Sequence, residues 1–287
     1  MKPDNDIKNR IRALSNRKEL PDKTPYKGIS VNDIINISGN FGISCREIEI
    51  ASLEEEIIPE RYVRNMKSFS TTDQTTLLKS MVTIVGLGGL GGVVTEILAR
   101  IGIGILNLVD GDVFEESNLN RQYLCRENLI STPKTDAAEK RIKEINSSVT
   151  VRKHSESLNE ENAEGLVGGS DAVIDCLDSL SDRFVLERAS KKASCRLVSA
   201  AVAGSYGHIT TIFPEDPGLK LIYGDPENAP NKGAETSLGA LSHCVSLVAS
   251  LEASEAIKII LGKGSLLRNR LLVVDLDDNS FETMQLI

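Results

Sequence analysis

The sequence has no tryptophan, three histidines, and five cysteines without a Cys-x-x-Cys pair. His154, His208 and His243 show no metal-ligand spacing, so each is expected to be structural or exposed. The scattered Cys45, Cys125, Cys176, Cys195 and Cys244 read as reduced thiols of a cytosolic protein, not as a disulfide framework or a zinc cluster. Long apolar runs are missing too. The longest uncharged stretch near the middle, Met81 to Thr95, is rich in glycine and shorter than the roughly 20 residues a membrane span requires. The N-terminus, Met-Lys-Pro-Asp-Asn-Asp, lacks the apolar segment of a signal peptide. A soluble, cytoplasmic protein without a membrane partner is expected. Excess positive charge is also lacking: 33 Lys plus Arg face 41 Asp plus Glu, a net charge of −8. A chain of that sign does not attract phosphate backbones as a whole body, so a nucleic-acid partner would need a local basic patch.

At 287 residues, with 40% hydrophobic and 26% charged residues, the composition is that of a globular protein with one large domain and a small attachment. The first 27 residues carry eight Lys or Arg against four acids, in a helix expected over Asn5 to Glu19 followed by a Pro-rich linker. Ser30 then opens one short helical pattern and Ser44-Cys-Arg-Glu47, a capping-box match, opens another. Their helix-turn-helix outline suggests DNA binding, but residues 28–60 hold seven acids and one basic residue, Arg46. A recognition helix needs positive neighbours, so a docking or dimer-supporting module is the better reading.

From about Lys79 onward, strand-like runs alternate with helical patterns. The strands are expected at Val82–Val85, Ile105–Val109, Val149–Lys153, Ala172–Asp175, Arg196–Ala201, His208–Phe213, Leu271–Leu276 and Ser280–Leu286. Helices are expected at Gly91–Ile101, Lys134–Ile145, Glu160–Val167, Ser181–Lys192 and Leu241–Leu261. This alternation predicts an α/β fold: a Rossmann-like, doubly wound, mainly parallel sheet with antiparallel C-terminal strands, preceded by a small all-helical extension. The division falls at 1–59 and 60–287.

Seven of the 22 glycines lie between Gly86 and Gly104. Within them, Gly86-Leu-Gly88-Gly89-Leu-Gly91 leaves a strand and enters a helix. Gly86 permits the tight turn, Gly88 lets backbone approach a phosphate, and Gly91 lets helix pack on strand, with the helix N-terminus facing the anion. Asp110, ending the next strand, is placed to bind ribose hydroxyls. To this point a nicotinamide dinucleotide and ATP fit equally. Downstream, Asp112, Asn118, Arg121 and Gln122 gather beside the nucleotide, and Lys134 begins a helix. A hydride-transfer site needs an apolar slot; this run supplies positive charge, which suits a triphosphate. Taken singly, Arg121 could instead pair with Glu115 or Glu116, and Lys134 could be a solvated first-turn side chain.

The glycine turn, Asp110-x-Asp112, Ser117-Asn118-Leu-Asn-Arg121-Gln122 and Pro133-Lys134 together resemble the ThiF/MoeB/HesA adenylyltransferases, relatives of the ubiquitin-activating enzymes. Arg61-Tyr62-Val63-Arg64-Asn65 is similar to that family's Arg-Tyr-x-Arg-Gln segment. Ile174-Asp-Cys-Leu-Asp178-Ser179 matches its aspartate after the fourth strand, and Ser250 to Lys258 resembles its late helix. The resemblance covers about Glu60 to Ile287.

It implies ATP-dependent adenylylation of the C-terminal glycine carboxylate of a ubiquitin-like sulfur carrier ending in Gly-Gly, with Mg²⁺ and a homodimer. Carried over residue by residue, it places Gly89 beside the phosphates and Asp110 on the ribose. Asn118, Arg121, Gln122 and Lys134 surround the phosphates, Asp112 supports the pocket, Asp178 holds Mg²⁺, and Arg64 reaches the neighbouring subunit's ATP. Many relatives bind zinc through two Cys-x-x-Cys pairs; Phe213 to Ser242 holds no cysteine, so no zinc is expected. Some relatives use a crossover-loop thiol, but Cys244 lies in an apolar helical run and reads as a core cysteine. Ser179 is closer to the tRNA-threonylcarbamoyladenosine dehydratase branch, which makes a carboxylate on a modified tRNA base the alternative substrate. An NAD-dependent oxidoreductase and a nucleotide-binding scaffold are the more distant alternatives. No rhodanese domain follows, so sulfur is expected from another protein.

Overall fold

The computed structural model describes residues 5–228 and 235–287; Pro3, Pro230 and part of the crossover loop therefore lie outside the described residues. The N-terminal extension contains α1 (Asn5–Leu14), β1 (Asn16–Glu19), β2 (Pro25–Ile29), α2 (Val31–Phe41), α3 (Cys45–Glu54) and β3 (Ile57–Pro59). There follow α4 (Thr71–Lys79), β4 (Met81–Val85), α5 (Gly89–Ile101), β5 (Ile105–Val109), α6 (Lys134–Ile145), β6 (Thr150–His154), α7 (Ala163–Val167) and β7 (Ala172–Asp175). The remainder is α8 (Leu180–Lys192), β8 (Leu197–Ala203), β9 (Tyr206–Ile212), α9 (Lys220–Tyr223), α10 (Glu235–Leu238), α11 (Ser242–Leu261), β10 (Arg270–Asp275) and β11 (Ser280–Gln285).

Eight strands form one sheet in the order β11-β10-β9-β8-β7-β4-β5-β6. The run from β6 to β8 is parallel, and β9, β10 and β11 continue it in antiparallel pairs. Strand β4 is flanked by β5 on one side and β7 on the other, so the chain reverses its winding direction there. A crevice opens at the carboxyl ends of such strands. The central strands are short apolar runs, buried on both faces as parallel strands under helices must be. One face packs against α5, α6 and α11 through Val94, Leu98, Val248 and Ala253; the other packs against α7 and α8 through Leu166, Phe184 and Leu186. The Rossmann-like, doubly wound fold and its antiparallel C-terminal strands are as the alternating pattern predicted.

The extension differs from an all-helical unit. Its first helix ends at Leu14 because the apolar spacing stops there. Asn16-Arg-Lys-Glu19 has nothing to bury, is exposed throughout, and pairs with β2 instead. Pro25 begins β2, where a missing N–H is tolerated, and β3 pairs parallel to β2. The Pro-rich linker is thus a hairpin, and three strands accompany the three helices. Helices α2 and α3 begin at their expected caps: Ser30 accepts from the Asp33 N–H, and Ser44 with Glu47 forms a complete capping box. Helix α7 starts at Ala163, later than expected, because Asn159 Oδ1 accepts the N–H groups of Glu161 and Asn162 and holds those residues in a turn.

The extension docks through buried polar contacts. Arg46 donates to the Gly104 carbonyl at 2.8 Å, so the only cation of the helix-turn-helix outline is spent on packing. The Tyr62 hydroxyl donates to Glu49 at 3.0 Å and accepts from Asn146 at 2.9 Å. Arg61 lies 3.1 Å from Glu49, whose carboxylate has no exposed surface.

Candidate active site

The crevice at the end of β4 is a cavity of about 550 Å³, within the range of small-molecule sites. Its floor is the glycine turn. Gly86 has φ +89°, and a Cβ there would lie 2.6 Å from the Cys176 carbonyl. A Cβ on Gly91 would lie 1.8 Å from the Gly86 carbonyl, so this residue closes helix onto strand and stays out of the cavity lining. Gly88 is the N-cap of α5 and lines the cavity beside Gly89. No side chain caps α5, so its first amides are available to an anion.

Asp110 ends β5 and folds back over this turn. One carboxylate oxygen accepts the Leu87 N–H at 2.6 Å, and the other accepts the Asp112 N–H at 2.8 Å. Burial pushes its carboxyl above the ordinary aspartate range, against the opposing pull of Lys134 and those two amides. Lys134, at the first turn of α6, is 7% exposed and is not a solvated side chain. Its Nζ lies 2.8 Å from Asp112 and 3.8 Å from Asp110, facing the cavity. Burying this ammonium is tolerable because both carboxylates accompany it.

Arg121 reaches the same cavity on a turn. Its guanidinium donates to the Ser117 carbonyl at 3.0 Å and to Asn120 at 2.8 Å. Among the described residues it makes no ion pair with Glu115 or Glu116. Gln122 is buried beside Gly88, and its Oε1 lacks a hydrogen-bond partner. This leaves an acceptor unsatisfied in the wall of the cavity. Asn118, by contrast, does not line it. Its Oδ1 accepts the Glu115 N–H and closes the turn that presents Arg121, so its visible role is architectural.

Across the cavity, Asp178 is exposed, and Asp182 on α8 lines the same wall. Ser179 accepts from the Asp182 N–H as the N-cap of α8, which accounts for a serine at that position. Among the described residues no group of three or more His, Cys, Asp or Glu side chains converges as a metal cage. Magnesium shared with a polyphosphate needs only one or two carboxylates, so Asp178 and Asp182 fit that donor set. Arg64 follows the turn at Glu60–Tyr62 and is exposed, outside the cavity.

Several lining groups escaped the sequence reading. Arg183, five residues after Asp178, is buried at the cavity wall, and Val245 of α11 faces Gly89. His208 is half-buried and bonded to the Tyr223 hydroxyl, His154 is bonded to Asn107, and His243 is exposed; none lines the cavity. Cys244 is a fully buried core residue. No helix among the described residues is long and apolar enough to cross a membrane.

The ThiF family matches residues 62–287. The SAMP-activating enzyme E1 of Haloferax volcanii is 34% identical over 230 residues, covering 78% of this chain and 84% of the relative. The adenylyltransferase and sulfurtransferase MOCS3 of Drosophila persimilis is 34% identical over 221 residues, covering 75% of this chain and 48% of the relative. The chain thus spans about half the length of MOCS3. Among solved structures, E. coli MccB with ATP superposes with a TM-score of 0.70 at 20% identity, over 98% of this chain and 86% of that one. PaaA superposes with a TM-score of 0.66 at 23% identity, over 79% and 82%. At such identities the two structures speak for the fold. The family match and the relatives in sequence carry the assignment: the chain belongs to the ThiF family, the ThiF/MoeB-type adenylyltransferases whose motifs it bears.

Proposed function

We propose that this enzyme adenylylates the C-terminal glycine carboxylate of a ubiquitin-like sulfur carrier at the expense of ATP, as a homodimeric cytoplasmic protein. The observation that carries the reading is the meeting of an uncapped helix N-terminus at Gly88 with Lys134 and Arg121 around one cavity. A carboxylate is ionised at pH 7 and needs no general base. The barrier is repulsion between two anions and the charge that develops on the phosphate oxygens, and fixed cations address both. In this reading a carboxylate oxygen of the carrier attacks the α-phosphorus. The bond from that phosphorus to the bridging oxygen breaks, and pyrophosphate leaves.

Lys134, held by Asp112, and Arg121, aimed by its turn, stabilise the phosphate oxygens. Asp110 receives the ribose hydroxyls and Gln122 lies on the phosphate side of the cavity, with Gly86, Gly88 and Gly89 leaving room for the phosphates. Asp178, with Asp182 beside it, would hold Mg²⁺, which supplies further charge neutralisation on the polyphosphate. Arg64, exposed outside the cavity, is assigned to the ATP site of a second copy. Residues 60–287 are assigned as the adenylylating unit and 1–59 as an extension docked on it. Five free cysteines and the similarity to SAMP-activating and MOCS3 enzymes support the compartment and the substrate class.

ATP–pyrophosphate exchange with candidate carriers ending in Gly-Gly, beside versions lacking those glycines, tests the proposal. Exchange only with the intact terminus is expected; exchange that ignores the glycines rejects it.

A further inference from the structure

The turn that carries Asp178 is held from below by a buried ion pair between Asp175 and Arg183. Asp175, the last residue of β7, has no exposed side-chain surface, and the Arg183 side chain on α8 is 5% exposed. Their charges are 3.0 Å apart. Such a pair costs desolvation energy, and packed apolar residues would often be as stable, so its retention calls for a geometric reason.

That reason lies in the peptide groups on either side of Leu177. One oxygen of Asp175 accepts the Leu177 N–H at 3.1 Å. The guanidinium of Arg183 donates to the Leu177 carbonyl through its second terminal nitrogen. Leu177 is thus gripped at both its amide and its carbonyl by two side chains that also bind each other. The Leu177 carbonyl belongs to the peptide that leads directly into Asp178.

The clamp is anchored to a second strand. The Arg183 nitrogen that meets Asp175 also donates to the Ala200 carbonyl of β8 at 2.6 Å, and Ser199 donates to Asp175 at 2.6 Å. One planar fork thereby references the turn to β7 and β8 together. A lysine ammonium, a point charge on a flexible stem, cannot reproduce that fork.

We propose that Arg183 is the positioning residue for Asp178. Through the Leu177 carbonyl it fixes where the Asp178 carboxylate stands at the cavity wall, and so sets the strength with which that wall takes up a divalent cation beside bound nucleotide. The inference rests on the proposed function in assigning Asp178 to the metal.

Mn²⁺ serves as the probe. Free Mn²⁺ is followed by electron paramagnetic resonance during titration of the full chain with α,β-methylene-ATP, a readout that does not depend on turnover. Arg183→Lys is expected to weaken Mn²⁺ binding by about 10–100-fold, the usual effect of losing a partner that orients a metal ligand. Binding of the analogue without metal should change less than about threefold, and circular dichroism should remain that of the parent. Parent-like Mn²⁺ affinity in a folded Arg183→Lys protein overturns the proposal, as does an equal loss of analogue binding without metal. Should Arg183→Lys not fold, Asp175→Asn removes the other half of the clamp and is judged by the same measurements.

Asp178→Asn separates the two claims. If it weakens Mn²⁺ binding while Arg183→Lys does not, the positioning role fails and the metal assignment stands. If Asp178→Asn leaves binding intact, the metal assignment itself fails and the positioning proposal with it.

Discussion

The Asp110 carboxylate accepts the backbone N–H of Leu87 at 2.6 Å, tying the end of β5 to the middle of the glycine turn. An acid expected only to receive ribose therefore also shapes the loop on which the phosphates would rest. Its other oxygen holds the Asp112 amide, and Asp112 in turn holds Lys134. Asp110, the glycine turn, Asp112 and Lys134 are consequently parts of one hydrogen-bonded unit, and displacing one member disturbs the others.

Replacing Asp110 by alanine should affect both roles. Two backbone donors lose their acceptor, which costs about 1–3 kcal/mol for a buried group. Nucleotide affinity, measured by calorimetric titration with ATP, should fall at least tenfold. A lowered melting temperature with unchanged affinity would restrict Asp110 to building the turn.

Lys134→Ala and Arg121→Ala should each slow adenylation by about 10²–10³, the scale for losing one charge-stabilising donor. They should differ in stability. Lys134 is buried between two carboxylates, so its removal leaves Asp110 buried with one counter-charge fewer; Arg121 is held mainly by a backbone carbonyl and Asn120. Thermal denaturation should therefore show the larger drop for Lys134→Ala. Near-normal rates in carrier-dependent pyrophosphate exchange would refute both assignments.

Much of this unit was legible because its residue types are forced by sterics. Gly86 and Gly91 stand where φ or a carbonyl oxygen leaves no place for a Cβ, and Asp110 follows a run that can only be a buried strand. The role of Asn118 could not be read that way. An asparagine that caps a turn and one that meets a phosphate have the same sequence context, and only the Glu115 amide at its Oδ1 separates them. Arg183 was hidden because its partners come from β7, the turn and β8, brought together only by the sheet. The strands of the extension were hidden for another reason: Asn16 to Glu19 has no apolar alternation, and its pairing is dictated by the hairpin.

The two glycine positions should respond differently to an added methyl. Gly91→Ala places a Cβ 1.8 Å from the Gly86 carbonyl, so the turn must open; overpacking of this kind costs about 1–3 kcal/mol or more. Gly88→Ala meets only the Gln122 amide at 3.5 Å, an ordinary contact, and should fold with nearly parental stability. Its methyl occupies cavity space, so ATP binding should weaken without a comparable fall in melting temperature. Equal melting temperatures for the two variants would contradict the packing role of Gly91.

Tyr62→Phe tests the docking of the extension. The hydroxyl joins Glu49 to Asn146 beside Arg61, which also meets both, and its loss leaves two buried groups each short of a partner. A destabilisation of about 1–3 kcal/mol is expected in denaturant unfolding. Amides of α3 should then exchange with deuterium faster than those of β4. Unaltered exchange in α3 would mean that Arg46 and the apolar contacts suffice to seat the module.

The last expectation concerns pH. Glu252 on α11 has no exposed surface, and one of its oxygens lacks a partner. Burial, reinforced by the charge of Asp175, holds its carboxyl well above the ordinary value of 4.5, while Arg183 pulls the other way. The folded protein therefore keeps a proton that the unfolded chain releases above about 4.5. By linkage, the stability this group contributes is complete below the unfolded value and is lost as pH rises toward the folded one, at about 1.4 kcal/mol per pH unit. Glu252→Gln keeps the shape and cannot ionise. Relative to that variant, the parent should lose stability steadily from about pH 5 upward, with the two closest near pH 4. Denaturant unfolding across that interval provides the check, and a difference that stays constant with pH would mean that Glu252 titrates alike in the folded and unfolded chains.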